Sequence, residues 1–326
     1  MAARGALSWQ WSRFGLGVLY AVPTIVVAPF DPAVALALSI GVLPAAVVGL
    51  PPRRRARAAI PFLGALVALG LLLGAALALV PVLAVLALAL LSVGASMLAA
   101  RGRAGQLALT LVLPLVGIGL SFPFSAATIA VAAAILAGSV YAWLVALLWP
   151  ERSIGDGTPA AVPKGRAMVV YGVLLGAAAA TAAAIGFALG LEHVGWATGA
   201  VLLVMRPVRG QLVLRSVGRA TSVLVGALAA AGFAVLSPNG AMVGVAIGLT
   251  LGSLCAVQES RWYVAPAFTT FLVLTLLLST SAEPPAARFL ERTLETLLGI
   301  ALALFFGALV PALLAMRRPE GAKVSE

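Results

Sequence analysis

Along this chain, apolar residues run for long stretches and stop at proline, glycine or clusters of charge. Twelve such runs can be marked, at about 14–28, 33–50, 59–80, 82–100, 104–120, 126–149, 167–190, 194–206, 215–236, 241–257, 262–280 and 288–315. Alternation at period two is absent, so the runs predict helices rather than barrel strands. Several fall short of the roughly 20 residues that a perpendicular helix needs to cross a bilayer. The last run departs from the pattern. Its start, "RFLERTLETLLG" at 288–299, carries four charges in eight positions. At 100° per residue, Arg288, Glu291, Arg292, Glu295 and Gly299 share one stripe, and Phe289, Leu290, Leu294, Leu297 and Leu298 fill the rest of the circumference. That segment predicts a helix end with charge turned toward the bundle and leucine turned toward lipid.

Composition sets the class. The chain has 326 residues, 63% hydrophobic and only 10% charged, against about 25% charged in a soluble domain. It is expected to be all-α: a polytopic transmembrane bundle of about twelve helices. The first residues lack a small-residue cleavage site behind a short apolar core, so the first run is expected to persist as a helix. The lone cysteine, Cys255, sits in an apolar run and reads as a small buried residue.

The net charge of +11 would suggest nucleic acid in a soluble protein. Here it resolves into topology, with the lipid bilayer and not nucleic acid as the partner. If the N-terminus is inside and the runs alternate, 19 of the 21 lysines and arginines fall on the inner side, leaving Arg288 and Arg292 outside. Both termini are then cytoplasmic in a cell (plasma or inner) membrane protein. The polar stretch 151–166 divides the chain into a first membrane half, 1–150, and a second, 167–326. The halves look like parallel repeats: Arg53, Arg57, Gly64 and Gly70 align with Arg215, Arg219, Gly226 and Gly232, and Gly138 and Pro150 align with Gly299 and Pro311.

Three constellations carry candidate chemistry. In the last helix, Glu295 lies two turns inside the membrane, where a carboxylate is either paired, here with Arg292, or protonated. Arg288 and Glu291 are expected in the headgroup layer. In 206–226, Arg215, Arg219, Ser222 and Gly226 share a face, with Arg206 and Arg209 at the turn before it. This predicts a basic inner vestibule that collects anions, against the alternative of plain topogenic charge. In "EHVGWATG", His193 and Trp196 read first as interface anchors, and His193 second as a proton-coupling candidate. No Walker A loop, HExxH, CxxC or His–carboxylate metal cluster is present, so no enzyme activity, cofactor or metal is expected.

The same residues carry a resemblance. The second half, about 168–315, resembles the fusaric acid resistance-like family, which includes bacterial aromatic-acid exporters. The motifs are His193-x-x-Trp196, Pro207-x-x-Gly210, Arg215-x-x-x-Arg219 with Gly226, and Arg292-x-x-x-Thr296-x-x-Gly299, with "ESRWYVAPAFTTFLVL" between them. Ser222 and Val223 stand where Gly-Thr is common in the family. The resemblance implies export of aromatic or related organic acids. It extends to plant aluminium-activated malate transporters, which are similar six-helix units working as anion channels. The expectation is a permease for a small organic anion. Translocation falls to Arg206, Arg215, Arg219, Trp196, Arg292 and Glu295, and proton coupling to Glu295 or His193. A passive anion channel and a non-transporting membrane scaffold are the alternatives. A second copy of the chain or an accessory transport subunit are the protein partners such a permease would take.

Overall fold

The computed structural model describes residues 8–151, 165–207, 211–260, 263–280 and 284–316. Among them are twelve helical rods and no strand. They are α1 Trp11–Val27, α2 Pro32–Val48, α3 Ala59–Ala78, α4 Pro81–Arg101, α5 (103–119), α6 Ala126–Leu148, α7 Arg166–Ala188, α8 Val194–Val204, α9 Leu212–Val235, α10 Gly240–Ala256, α11 Ala265–Thr280 and α12 (285–316). Each predicted run becomes one rod. Six are long and apolar enough to cross a membrane, and the other six are shorter apolar helices. The expected linker 151–166 lies almost wholly outside the described residues.

Local chemistry sets the helix ends. Asp31, Ser125 and Asn239 cap α2, α6 and α10 by accepting from the backbone N–H three residues on. Pro114 and Pro311 sit inside α5 and α12, where a proline would clash with the carbonyl four residues back. Each follows a π-helical turn, Ala108–Val112 and Phe305–Leu309, which absorbs the misfit without breaking the rod.

The bundle places alternate loops together, as the run count requires. At one end the N-terminal segment meets the α10–α11 turn through Arg13 and Glu259, 2.5 Å apart. At the same end the α2–α3 turn meets the start of the linker, where Glu151 accepts from the Arg54 backbone N–H at 2.6 Å. The opposite end joins the α7–α8 turn to the start of α12 through Glu192 and Arg288, at 2.6 Å.

The helix contacts of the two halves correspond. α2 packs on α6 as α8 packs on α12. α3 packs on α5 and α6 as α9 packs on α11 and α12. Across the halves, α1 pairs with α10 as α7 pairs with α4, and α2 meets α11 as α8 meets α5. The apolar interior follows the same scheme. Of its two largest clusters, one draws on α4, α5, α7, α8 and α12 with Leu77 at the end of α3, and the other on α1, α2, α6, α10 and α11 with the start of α3. Glycine makes the equivalent close crossings. A Cβ on Gly41 of α2 would lie 2.4 Å from the Ala134 carbonyl oxygen of α6, and one on Gly299 of α12 would lie 2.4 Å from the Ala197 carbonyl oxygen of α8.

Helix α8 breaks the expectation of a full span. Its 11 residues give about 16 Å of helix, against a hydrocarbon layer of about 30 Å. The chain turns extended at Met205, ahead of Pro207. A short helix is tolerated because every residue of α8 except Leu203 is buried in protein, away from lipid. The Tyr171 hydroxyl of α7 satisfies the Met205 carbonyl at 3.1 Å.

Candidate functional site

The charged stripe of α12 lies where its periodicity put it. Arg288, Arg292, Glu295, Thr296 and Gly299 are buried, while Leu290, Leu294 and Leu297 are exposed. The stripe packs on α8 and α9, so ionisable side chains of α9, α12 and the α7–α8 turn converge inside the second half.

At the N-terminal end of α12 the charges form a continuous network. The Arg288 guanidinium donates to both oxygens of Glu192, at 2.6 and 2.9 Å, and to Glu291 at 2.8 Å. Glu291 also contacts His193 Nδ1 at 2.7 Å. These hydrogen bonds from Arg288 hold the Glu192 carboxyl below its ordinary range. Arg288, expected at headgroup depth, is 5% exposed, with Glu192 on the α7–α8 turn as its bidentate partner. Glu192, His193 and Glu291 bring three potential metal-ligand atoms within 4.8 Å of one another. Arg288 already bonds both carboxylates, so the cluster is satisfied as an ion-pair network.

Beneath it, His193 stacks on Trp196 with centroids 4.2 Å apart and planes 13° from parallel. On the same indole, the Arg292 guanidinium carbon lies 4.5 Å from the ring centroid. Trp196 is 5% exposed and packs with Ala227, Ala230 and Leu274. The expected interface anchor is therefore an internal residue, because α5, α7, α9 and α12 enclose α8.

Farther along α12, in a cluster of buried polar side chains here termed the chamber, the pairing stops. The expected Arg292–Glu295 ion pair is not formed: Arg292 lies over Trp196, and both Glu295 oxygens are buried without a hydrogen-bond partner. Arg219 of α9 is buried, its Nε has no partner, and it lies within electrostatic range of Arg292. The hydroxyls of Thr270 and Thr275 on α11 and of Ser216 on α9 are likewise buried and unpartnered. Among the described residues, the chamber therefore holds two guanidinium groups and one carboxyl with no salt bridge between them.

Arg206 and Arg215 stand apart from it, toward the opposite end of the bundle. Arg206 is half-buried near Tyr171, with Nη1 unpartnered, and burial holds its guanidinium below its ordinary range. Arg215 Nε donates to Gln211 at 3.4 Å. Arg209 lies outside the described residues. The basic mouth of the sequence reading thus divides in two, an inner pair and one arginine, Arg219, that enters the chamber.

Sequence reasoning passed over Glu192 and gave Arg57 no role beyond its alignment with Arg219. Arg57 is fully buried. Its guanidinium donates to the carbonyls of Pro51, Ala146, Trp149 and Pro150, tying α3 to the end of α6.

The fusaric acid resistance protein-like family model matches residues 179–306. The matched stretch begins within α7, ends in the π turn of α12, and contains every chamber residue named above. No curated protein and no solved structure matches the chain. Over residues 179–306, in the second half, the chain is similar to the fusaric acid resistance protein-like family of membrane proteins.

Proposed function

We propose that the protein is a permease of the inner (plasma) membrane, with both termini cytoplasmic, that exports organic acid anions and aromatic carboxylates foremost. One observation carries this reading. Arg219 and Arg292 are buried without a salt bridge among the described residues, and Arg292 lies over the face of Trp196. An unpaired buried charge costs several kcal/mol, and an arriving anion is the group that would offset two of them. Guanidinium matches a carboxylate in geometry, and the indole offers a flat apolar wall to an attached ring. Arg206 and Arg215 would draw the anion to the inner mouth. The family match supports transport as the class of activity.

We also infer that the halves arose by duplication and that only the second retains a pathway. The corresponding helix contacts support this. In the first half, the positions aligned with Arg292 and Glu295 through Gly138 and Gly299 are Val131 and Ala134. Arg57, aligned with Arg219, is consumed by backbone carbonyls. One chamber per chain follows.

The test is counterflow in proteoliposomes containing this protein alone. Vesicles preloaded with benzoate should accumulate labelled benzoate transiently and saturably, and competition by aromatic acids should exceed competition by dicarboxylates. Uptake no faster than in protein-free vesicles, for every acid tried, would reject the reading. A benzoate conductance that does not saturate would move it to a channel.

A further inference from the structure

The chamber that would take an anion already contains a carboxyl group. Glu295 is 5% exposed, both of its oxygens lack a hydrogen bond, and it sits one turn from Arg292 on the same buried face of α12. The charged groups within electrostatic reach are Arg292, Glu291 and Glu192. Arg219 of α9 acts on Arg292, Arg215 lies in the first turn of α9, and His193 and Arg288 are bonded to Glu291. Of the other helices packed on α12, α11 carries no ionisable side chain, and those of α7, Arg166 and Tyr171, lie in its first two turns at the opposite end.

On the reading that this chamber binds organic anions, we propose that it binds the anion together with a proton, held on the Glu295 carboxylate. The cation that would stabilise an ionised Glu295 is Arg292. It is one of the two cations an incoming carboxylate would engage. The carboxylate's arrival therefore removes counter-charge from Glu295 and adds a like charge beside it. Both effects favour the protonated carboxyl, and burial amplifies them because water does not screen the site. No hydrogen bond has to break for Glu295 to accept the proton. The step balances as a transfer of one proton from water to the Glu295 carboxylate, with every bond of the ligand unchanged. Linkage makes the effect reciprocal: protonation of Glu295 tightens anion binding.

The test uses the full chain in lipid nanodiscs with benzoate as the probe, titrated between about pH 6 and 8, where the probe stays ionised and one linked proton changes affinity by up to tenfold per pH unit. Calorimetry in buffers of different ionisation enthalpy counts the protons directly. The expected result is affinity that rises as pH falls, with proton uptake on binding. Glu295→Gln should bind benzoate with that dependence gone. The wild-type protein should also show a protonated-carboxyl band in its benzoate-induced infrared difference spectrum. That readout needs no variant and separates a carboxyl from an imidazole. Binding without proton uptake, the same pH dependence in Glu295→Gln, or no carboxyl band would overturn the proposal and leave the anion site standing. No binding of benzoate or of any other carboxylate tried would overturn the anion site and this proposal together.

Discussion

Arg57 and Arg219 occupy aligned positions in the two halves, and the structure gives them opposite work, so the same truncation should have opposite consequences. Arg57 makes four hydrogen bonds to carbonyl oxygens, between 2.5 and 3.1 Å, from a fully buried position. A charge-assisted bond of this kind contributes roughly 1.5–3 kcal/mol. Water can reach the exposed Pro150 end after truncation, but not the fully buried Ala146. About two of the four bonds therefore go unreplaced, and Arg57→Ala should cost about 3–5 kcal/mol. At about 2 °C per kcal/mol for a large chain, the midpoint for loss of the monodisperse peak on heating in detergent should drop by roughly 6–10 °C. Arg219 makes no side-chain hydrogen bond or ion pair among the described residues, and its removal relieves repulsion with Arg292. Arg219→Ala should stay within about 2 °C of wild type and lose transport. Heated-sample size exclusion and benzoate counterflow on the same preparations decide the matter. Equal destabilisation by the two variants, or an Arg57→Ala protein as stable as wild type, would refute the division of labour.

Other outcomes follow from single contacts. Gly299→Ala places a Cβ 2.4 Å from the Ala197 carbonyl oxygen, so α12 and α8 must separate; it should cost about 1–3 kcal/mol and lower transport by more than the lost stability explains, because Trp196 moves relative to Arg292. Glu192 has its carboxyl held down by Arg288; its contribution is therefore present above the ordinary carboxylate range and lost as pH falls through the lowered value. Thermal stability should decline on acidification and do so less in Arg288→Ala, although the exposure of Glu192 keeps the difference small. A cysteine at Thr158, in the linker and outside the described residues, should label only from the cytoplasmic side, and one at Phe124, exposed between α5 and α6, only from outside; buried Cys255 should give little background.

Much of the fold was legible because lipid imposes one rule: polar backbone must be satisfied within the chain, so apolar runs become helices and breaks become turns. All twelve rods and the buried side of α12 follow from that rule and from helical periodicity. Periodicity also separated Glu295 and Arg292 from Leu290 and Leu294. It could not say what each buried charge would meet. The pairing of Arg288 with Glu192 joins residues 96 apart in sequence and depends on how the α7–α8 turn lies against α12. Trp196 looked like an interface anchor because its depth depends on α8 being short and enclosed, and an 11-residue helix differs little in composition from a full span. The clamp made by Arg57 was hidden for a related reason. Its partners are backbone carbonyls, which every sequence supplies and none marks. Arg292 and Glu295 stand three apart on one helix, a spacing that permits a local ion pair; the indole face across the α8–α12 crossing is what drew the guanidinium away.

The most direct measurement of the central claim is saturable benzoate counterflow by the Arg219→Gln/Arg292→Gln double variant, set against wild-type protein and against Arg206→Gln in matched proteoliposomes. The chamber arginines are expected to abolish saturable transport when neutralised together, in a protein that still purifies as a monodisperse peak. Arg206→Gln, at the inner mouth and outside the chamber, should retain it at a reduced rate. Wild-type counterflow in the double variant would contradict the claim, because two buried guanidinium groups would then have no part in carrying the anion.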